Sequence, residues 1–439
     1  MLRLLLLFFV FAFAAARAAE LPAPITEPDW PSLERYQRSI TRKEFCRLLN
    51  KVYNPSRVVW RYLNVTDDYA EFFADESKAE LDFTLHFAPS EDEARAARRT
   101  FKTIPELQAL RNPPEAPLRG VRIVLDPGHI GGKWADIEER SVAWGNHPRI
   151  REGDMNLLVA KRARPRLAAA GAEVYLTHET PDPVTPLRPK DFLEDARRSV
   201  LAEKNLAEDD PASRSAAIRR VILWRAELAF YRKAEISQRA ANIRAHFPPD
   251  INISNHFNAT EYSGSGEMVK DNRLVFLLNG CYGPDEVENP LTRFFMFSKL
   301  LEQSLPIEMA VGDAITRRML KVAHLPPAKY GREKYQCRVN DNPYLYARNL
   351  AASRQYPGPC LILEPFYMNT EWTAERLAAG DYDGIRQLAC GPHRSLLREY
   401  ADALADALIE AYAQWTVAGG ETRRAPPRPP QKPRAPSPN

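Results

Sequence analysis

Short apolar runs alternate with amphipathic segments from about residue 120 onward. The runs are typical of buried strands, and the segments between them repeat apolar residues at helical spacing. Strands are predicted at 121–125, 172–177, 250–254, 274–278 and 359–363, and helices at 154–170, 234–246, 291–305 and 396–415. Because the two alternate, we predict an α/β domain over residues 118–416, with a mostly parallel mixed sheet and helices on both faces.

Residues 28–112 follow a different pattern, which predicts a small N-terminal α+β module of unknown role. Residues 32–65 are expected to be mostly helical, residues 79–86 alternate like a strand, and residues 91–111 are again expected to be helical. The proline-rich stretch 112–117 is predicted to be a linker to the following domain.

Both ends of the chain differ in composition from its body. A basic start at Arg3, an apolar run over residues 4–16 and the small residues Ala16 and Ala18 predict a cleaved export signal over residues 1–18. The apolar run is short for a bilayer span, which disfavours a membrane anchor. The last 17 residues, 423–439, contain seven prolines and five Lys or Arg, and this composition predicts a disordered cationic tail.

The charge of the chain is carried mainly by these ends. The net charge is +4, but seven cations lie in the first 18 and last 17 residues without any acid, so residues 19–422 carry −3. A mildly acidic body argues against nucleic acid as a partner. With the export signal, we expect a periplasmic or secreted protein that has no membrane span after signal cleavage.

Four polar side chains that suit metal binding or catalysis lie at the ends of predicted elements. His129 follows a strand and a Pro-Gly turn, His256 follows another strand, and Glu364 ends an apolar strand. Glu152 precedes the helix that is predicted to start near residue 154. Each alone has an ordinary structural explanation, but α/β enzymes build their sites at the carboxyl ends of strands. Two imidazoles and a carboxylate are typical ligands of catalytic zinc, with a separate carboxylate as base.

These segments together resemble the zinc-dependent N-acetylmuramoyl-L-alanine amidases of the amidase-3 type. In that family a strand leads to Asp-Pro-Gly-His, a glutamate precedes the next helix, a Ser-x-His-x-Asn-Ala segment follows, and a late strand ends in glutamate. The matching residues here are Asp126-Pro-Gly-His129, Glu152, Ser254-Asn-His-Phe-Asn-Ala259 and Glu364. The resemblance covers approximately residues 118–416.

The resemblance implies an activity and a role for each matching residue. His129, Glu152 and His256 would hold Zn²⁺, and Glu364 would activate water and protonate the leaving amine. The reaction would be hydrolysis of the amide bond between N-acetylmuramic acid and L-alanine in peptidoglycan. The expected partners are therefore peptidoglycan and, as an open alternative, a protein activator.

Three further residues are expected to bind substrate or to support the ligands. Asp126 could orient a ligand histidine. Asn258 could bind substrate or brace its own loop. Arg348 ends a segment, Leu345-Tyr-Ala-Arg348, that resembles the one before the family's glutamate strand. A similar likeness extends to Arg239, ahead of the second histidine strand.

The chain also departs from the family pattern. Residues 180–230 form a charged, largely helical insertion where the family has a short connection, and they either decorate the periphery or gate the site. We favour decoration. The spacing from Glu364 to Asn369 is one residue shorter than usual, which supports an alternative, a catalytically silent or regulatory wall-binding protein. A zinc peptidase acting on the stem peptide is the other alternative, although the chain lacks a His-Glu-x-x-His helix.

Overall fold

The structure is a computed structural model that describes residues 21–260, 268–329 and 335–418. The predicted export signal 1–18 and the cationic tail 423–439 lie outside the described residues. The strands are β1 Leu63–Val65, β2 Tyr69–Phe73, β3 Leu81–His86, β4 Arg122–Pro127, β5 Ser141–Val142, β6 Ile150–Arg151, β7 Glu173–Leu176, β8 Ile251–Asn255, β9 Leu274–Leu278, β10 Gln336–Arg338, β11 Leu345–Arg348, β12 Cys360–Pro365, β13 Arg386–Leu388 and β14 Gly391–His393.

The α-helices are α1 Arg42–Leu48, α2 Ile104–Gln108, α3 Glu152–Ala169, α4 Leu193–Glu203, α5 Ala216–Leu228, α6 Ile236–His246, α7 Pro284–Glu288, α8 Pro290–Glu302, α9 Leu305–Val322, α10 Ala351–Gln355, α11 Glu371–Ala378 and α12 Leu396–Thr416. Shorter 3₁₀ or π segments lie at Trp30–Tyr36, Leu49–Tyr53, Val58–Tyr62, Gly132–Asp136, Pro189–Phe192, Pro211–Arg214 and Ala229–Glu235. All nine elements predicted from residue 121 onward are present, with small shifts at their ends.

A seven-stranded mixed sheet organises the larger part of the molecule. Its strand order is β10-β11-β9-β12-β8-β4-β7. Three consecutive pairs are parallel, namely β12 with β8, β8 with β4, and β4 with β7. In contrast, β12 pairs antiparallel with β9, and β10 pairs antiparallel with β11. The predicted α/β class with a mostly parallel sheet is therefore confirmed.

Helices cover both faces of this sheet because its strands are apolar on both sides. On β4, Ile123 and Leu125 belong to the core that α3, α9 and α12 share, whereas Val124 packs with Ala240 of α6 on the opposite face. Strands buried on both faces read as continuous apolar runs, which is the pattern of residues 121–125.

The N-terminal residues form a three-stranded antiparallel sheet, β1-β2-β3, with short helical segments around it. Its core is continuous with that of the larger part, because Phe72 packs edge-on against Phe297 of α8 at a centroid distance of 4.4 Å. The buried Tyr53 hydroxyl also donates to the Lys299 carbonyl at 3.0 Å. This part of the chain is thus fixed against the larger domain through apolar contacts.

Two predictions in this region were wrong. Of the helix expected over residues 91–111, only α2 forms, because residues before it bond to distant elements: Arg95 N–H donates to the Arg38 carbonyl, and Lys102 N–H donates to the Asp250 carboxylate. Tertiary contacts of this kind override local helix propensity. The stretch 112–117 is not a free linker either, since Asn112 N–H donates to the Thr416 carbonyl at the end of α12.

The insertion 180–230 contains the helical hairpin α4–α5, as its composition predicts. Six buried apolar residues pack within the hairpin and form a small core of their own, namely Ala196, Val200, Leu201, Ile218, Ile222 and Ala226. The chain then returns through Ala229–Glu235 into α6, which packs on the sheet. The hairpin is therefore packed separately from the main core. The segment Ala229–Glu235 that follows it is continuous with α6 and belongs to the larger domain.

Candidate metal centre and catalytic cavity

The three predicted metal ligands lie together at the carboxyl edge of the sheet. His129 follows β4, His256 follows the neighbouring β8, and Glu152 opens α3. Glu152 Oε2 is 3.3 Å from His129 Nε2, and Glu152 Oε1 is 3.1 Å from His256 Nδ1. One donor atom from each residue lies within 4.8 Å of the other two. Two imidazole nitrogens and a carboxylate so close together form a donor set that suits zinc.

The loop that carries His129 has an unusual backbone. His129 itself has φ +65°, a left-handed conformation that is costly for a residue with a side chain and persists where surroundings impose it. The preceding Gly128 lies so close to the His256 imidazole that a Cβ at this position would overlap the ring. The Pro-Gly turn therefore allows the two histidines to approach each other.

Arg239 of α6 holds this loop in place. Its guanidinium donates to the Pro127 carbonyl at 2.8 Å and to the His129 carbonyl at 2.9 Å. It is itself buried and pairs with Asp126 at 3.0 Å and Glu235 at 2.7 Å. These two carboxylates compensate the buried positive charge, which would otherwise be costly.

Asp126 is the centre of a buried polar network. In addition to Arg239, its carboxylate accepts hydrogen bonds from Ser254 Oγ at 2.6 Å, Thr177 Oγ1 at 2.6 Å and the Tyr356 hydroxyl at 2.9 Å. Burial alone would raise the pKa of Asp126, but Arg239 and the Ser254 and Thr177 hydroxyls outweigh it and lower the pKa. Asp126 forms no hydrogen bond with either ligand histidine and acts on the His129 loop through Arg239.

A second carboxylate besides Glu152, that of Glu138, contacts a candidate ligand histidine, and the sequence prediction missed it. Glu138 Oε2 lies 3.1 Å from His129 Nδ1 and accepts the Ile130 N–H at 3.0 Å. A carboxylate at Nδ1 fixes the tautomer that leaves Nε2 free for a metal. The residue lies in the run Asp136-Ile-Glu-Glu-Arg140, where nothing in the sequence distinguishes it from Glu139.

The Glu152 carboxylate is buried, and neighbouring donors compensate its negative charge. It also accepts the Phe257 N–H at 3.1 Å, and Arg140 Nε lies 3.8 Å away. Burial would raise the pKa of Glu152, but the two imidazoles outweigh it and lower the pKa to about 2. For His256, the hydrogen bond to Glu152 outweighs burial and raises the pKa. Glu152 is thus ionised, as a metal ligand must be.

Glu364 lies at the end of β12 and lines the same cavity as the three ligands. Burial raises the pKa of its carboxyl and the charge of Glu152 adds to the rise, whereas the His256 and His129 imidazoles oppose it. A raised pKa suits a group that first accepts a proton and later donates it.

Asn258 supports the segment that follows Glu364. Its backbone N–H donates to the Phe366 carbonyl at 3.1 Å, and its carbonyl accepts from Met368 N–H at 2.7 Å. Phe366 has φ +59°, so the chain turns sharply two residues after Glu364. Asn258 therefore braces this turn through its backbone, its Oδ1 also accepts the Ala259 N–H at 2.7 Å, and the residue lines the cavity.

The cavity has a volume of about 470 Å³ and extends from the ligands across the sheet to Arg348. Tyr231 and Arg232, from the segment that returns from the insertion, also line it. Two other histidines are outside the ligand cluster: His147 is exposed, and His178 is buried beside Thr177, where burial and Arg239 lower its pKa to about 3. The structure thus brings His129, Glu152, His256 and Glu364 to one cavity.

The fold and this cavity define an α/β protein with a candidate metal centre at the carboxyl edge of its sheet. A family model described as N-acetylmuramoyl-L-alanine amidase matches residues 123–388, more than half of the chain. The chain therefore belongs to this family, whose members hydrolyse an amide bond of peptidoglycan. No match was found among curated proteins.

Solved structures similar to this chain include three amidases of low sequence identity. CwlD from Clostridioides difficile, solved in complex with the GerS lipoprotein, is 12% identical, with 66% of this chain and 98% of that chain covered and a TM-score of 0.36. Ami1 from Mycobacterium smegmatis is 14% identical, with coverages of 68% and 99% and a TM-score of 0.37. AmiC2 of Nostoc punctiforme is 14% identical, with coverages of 67% and 97% and a TM-score of 0.31.

Within the described part of the chain, no helix is both long enough and apolar enough to cross a membrane.

Proposed function

We propose that this amidase uses zinc, held by His129, Glu152 and His256, to hydrolyse the bond between N-acetylmuramic acid and L-alanine. The observation that carries the proposal is the His-Glu-His cluster, whose donor atoms lie within 4.8 Å of one another in the cavity that Glu364 also lines. Zinc bound by such a set polarises an amide carbonyl and lowers the pKa of a water ligand. The products would be glycan with a free lactyl group and a peptide that begins with L-alanine.

The chain's own residues have separate tasks in this proposal. Glu364 takes the proton of the attacking water and returns it to the leaving nitrogen, because it is the carboxylate of the cavity with a raised pKa. Glu138 holds the His129 ring, and Arg239 holds the backbone on both sides of it. Asn258 and Arg348 are proposed to contact substrate, since both line the cavity.

The proposed activity also implies that the protein is located outside the cytoplasm. The substrate is a wall polymer, so we propose that the chain is exported by residues 1–18 and acts in the periplasm or as a secreted protein in wall remodelling or turnover. Residues 28–112 are proposed to be a module that supports the catalytic part, residues 118–416, through the core shared at Phe72 and Phe297.

Mass spectrometry of the products released from purified sacculi tests the proposal. The purified chain is incubated with sacculi in the presence of zinc and, in parallel, with a chelator. We expect intact stem peptides with a free N-terminal L-alanine, and we expect them to disappear with chelation.

Other products would support the alternatives. Shortened peptides would identify an enzyme that cuts within the stem. Binding to sacculi without soluble products, in a protein that holds zinc, would identify a silent wall-binding member of the family. Release that continues after the metal has been removed would contradict the zinc proposal while leaving the amidase activity intact.

A further inference from the structure

The catalytic cavity continues as a groove across one face of the sheet. Side chains two residues apart on a strand share a face, so Glu364 and Ile362 of β12 project from the same face. Ile362 pairs with Leu277 of β9, and both side chains line the cavity. The floor of the groove beyond Glu364 is therefore apolar, and its two side chains are almost fully buried because Leu350 and Ala352 pack on them.

Arg348 lies at the far end of this groove. It is two residues from Tyr346 on β11, which pairs with Leu277, so it projects from the same face of the sheet as Glu364. Their positions along the strands are compared through β9, which lies between β12 and β11. Glu364 is level with Val275 of β9, whereas Arg348 lies one residue beyond Ala347, which is level with Leu278. Two strand spacings and four residues along the strands separate them, which gives roughly 16 Å between their backbones.

The charge of Arg348 is available to a ligand. The acidic residues that line the cavity near the ligands are already engaged: Glu138 with His129, Glu152 with both histidines, and Glu235 and Asp126 with Arg239. Arg348 is half-buried, and its guanidinium forms no hydrogen bond or ion pair with any residue that the structure describes. A guanidinium in this setting is suited to a carboxylate, which it binds through paired hydrogen bonds.

We propose that Arg348 binds a carboxylate of the stem peptide about three residues beyond the amide bond that is cleaved. This inference rests on the proposed function. An extended peptide advances roughly 3.3 Å per residue. The distance between the ends of the Arg348 and Glu364 side chains is shorter than the distance between their backbones, so three peptide residues span it. The peptide occupies the part of the cavity between the Glu364 and Arg348 side chains, and the interaction selects stems that carry a negative charge at that distance.

A matched pair of substrates tests the proposal. Two soluble muramoyl tripeptides are compared, which differ only in a C-terminal carboxylate or carboxamide on the third residue. The unaltered protein should cleave the carboxylate with a kcat/KM higher by about tenfold, because one charge-assisted hydrogen-bond pair is lost with the amide. The difference should lie mainly in KM.

Variants of one residue assign the effect to Arg348. Arg348→Gln should lower the ratio of kcat/KM for the carboxylate to that for the carboxamide from about ten to about one, and Arg348→Lys should retain most of the preference. Arg220→Gln removes one positive charge from the exposed surface of the insertion and should change neither rate. Thermal melting of each variant checks that it is folded.

Failure of this proposal can be distinguished from failure of the proposed function. Equal rates on both tripeptides, or an equal loss on both in Arg348→Gln, would overturn it although the protein releases stem peptides from sacculi. If neither tripeptide is cleaved by a protein that digests sacculi, the two are compared as inhibitors of that digestion. Stronger inhibition by the carboxylate supports the proposal, and equal or absent inhibition overturns it.

Discussion

Arg239 and Asp126 form a buried ion pair that positions a backbone rather than a side chain. The guanidinium lies 3.0 Å from the Asp126 carboxylate and donates to the His129 carbonyl at 2.9 Å. Because His129 has a left-handed backbone, the loop depends on these fixed donors for its shape. The pair thus connects the interior of the sheet to the candidate metal centre.

Replacing Arg239 by Gln should weaken metal binding and folding together. The loop loses two donors, and zinc affinity should fall about 10- to 100-fold, as for other residues that support metal ligands. Asp126 and Glu235 also lose their buried partner, which should cost about 3–5 kcal/mol of unfolding free energy. Chelator competition and urea denaturation measure the two effects.

Arg244→Gln is the matched control for this variant. It lies on the same helix, donates to the Gln355 carbonyl and has no contact with the loop. It should lower stability without changing zinc affinity. Equal zinc affinity in both variants would contradict the positioning role of Arg239.

Glu138 and its neighbour Glu139 provide a second matched pair. Glu138→Ala removes the acceptor at His129 Nδ1, so zinc affinity should fall about 10- to 100-fold, and Glu138→Gln should retain part of it. Glu139 is exposed, and Glu139→Ala should leave the affinity unchanged. Histidine NMR of the zinc-loaded protein reports the tautomer directly. If both alanine variants bind zinc as the unaltered protein does, Glu138 has no role in holding the ligand.

The sequence predicts the sheet and the candidate ligands, because both leave local signals. Buried strands are apolar runs, and His129 and Glu364 follow such runs as polar residues at their ends. Glu138 leaves no such signal, since its role depends on a contact that forms only when the loop folds back on itself.

The helices that the sequence prediction missed or misplaced have similar explanations. Helix α9 was not predicted, and Pro306 and Gly312 weaken its local pattern, yet Pro306 lies in the first turn, where proline is tolerated. A Cβ at Gly312 would overlap the side chain of Leu345, so glycine allows the helix to pack closely on β11. Residues 91–103 show the opposite error, since a helix was predicted there and none forms. Long-range hydrogen bonds replace the helix that their composition favours.

Glu364→Gln should greatly reduce catalysis and leave the candidate metal centre intact. The amide cannot accept the proton of water, so kcat should fall about 10²- to 10⁴-fold, the usual contribution of a general base. Zinc content should be unchanged, because Glu364 is outside the His-Glu-His cluster. The exposed Glu371→Gln is the control and should keep full activity. Substantial release of stem peptides by Glu364→Gln would refute the assigned role.

A buried carboxyl far from the cavity should make stability depend on pH. Glu308 of α9 accepts hydrogen bonds at one oxygen from Cys360 N–H and Ser304 Oγ, while its other oxygen has no partner among the described residues. Burial raises the pKa of Glu308 from 4.5 to about 7, although Lys299 opposes the rise. The folded state therefore binds this proton more tightly than the unfolded state does.

The sign of the effect follows from that difference. Between pH 4.5 and 7 the folded state holds more protons at this group, so its contribution to the unfolding free energy decreases as pH rises, by about 3 kcal/mol in total. Glu308→Gln cannot titrate, so its stability relative to the unaltered protein should rise across this interval. Urea denaturation at several pH values measures it, and a constant difference between the two proteins would show that Glu308 is ionised when folded.

Removing the hairpin of the insertion should leave the fold and the activity nearly unchanged. Its core, which includes Val200 and Ile222, is separate from the main core, so the deletion exposes little of the main apolar surface. The cut should retain Arg188, whose guanidinium lies over Trp134, and Phe230, which packs on the same ring. Joining residues 193 and 226 through a short glycine-serine linker meets both conditions.

The truncated protein distinguishes decoration from gating. We expect its melting temperature to stay close to that of the unaltered chain and kcat/KM on the soluble tripeptide to stay within about twofold, because Tyr231 and Arg232 of the retained segment still line the cavity. A rise in activity well beyond twofold would show that the hairpin restricts access to the site. A loss of activity with normal melting would show that the hairpin contributes to substrate binding.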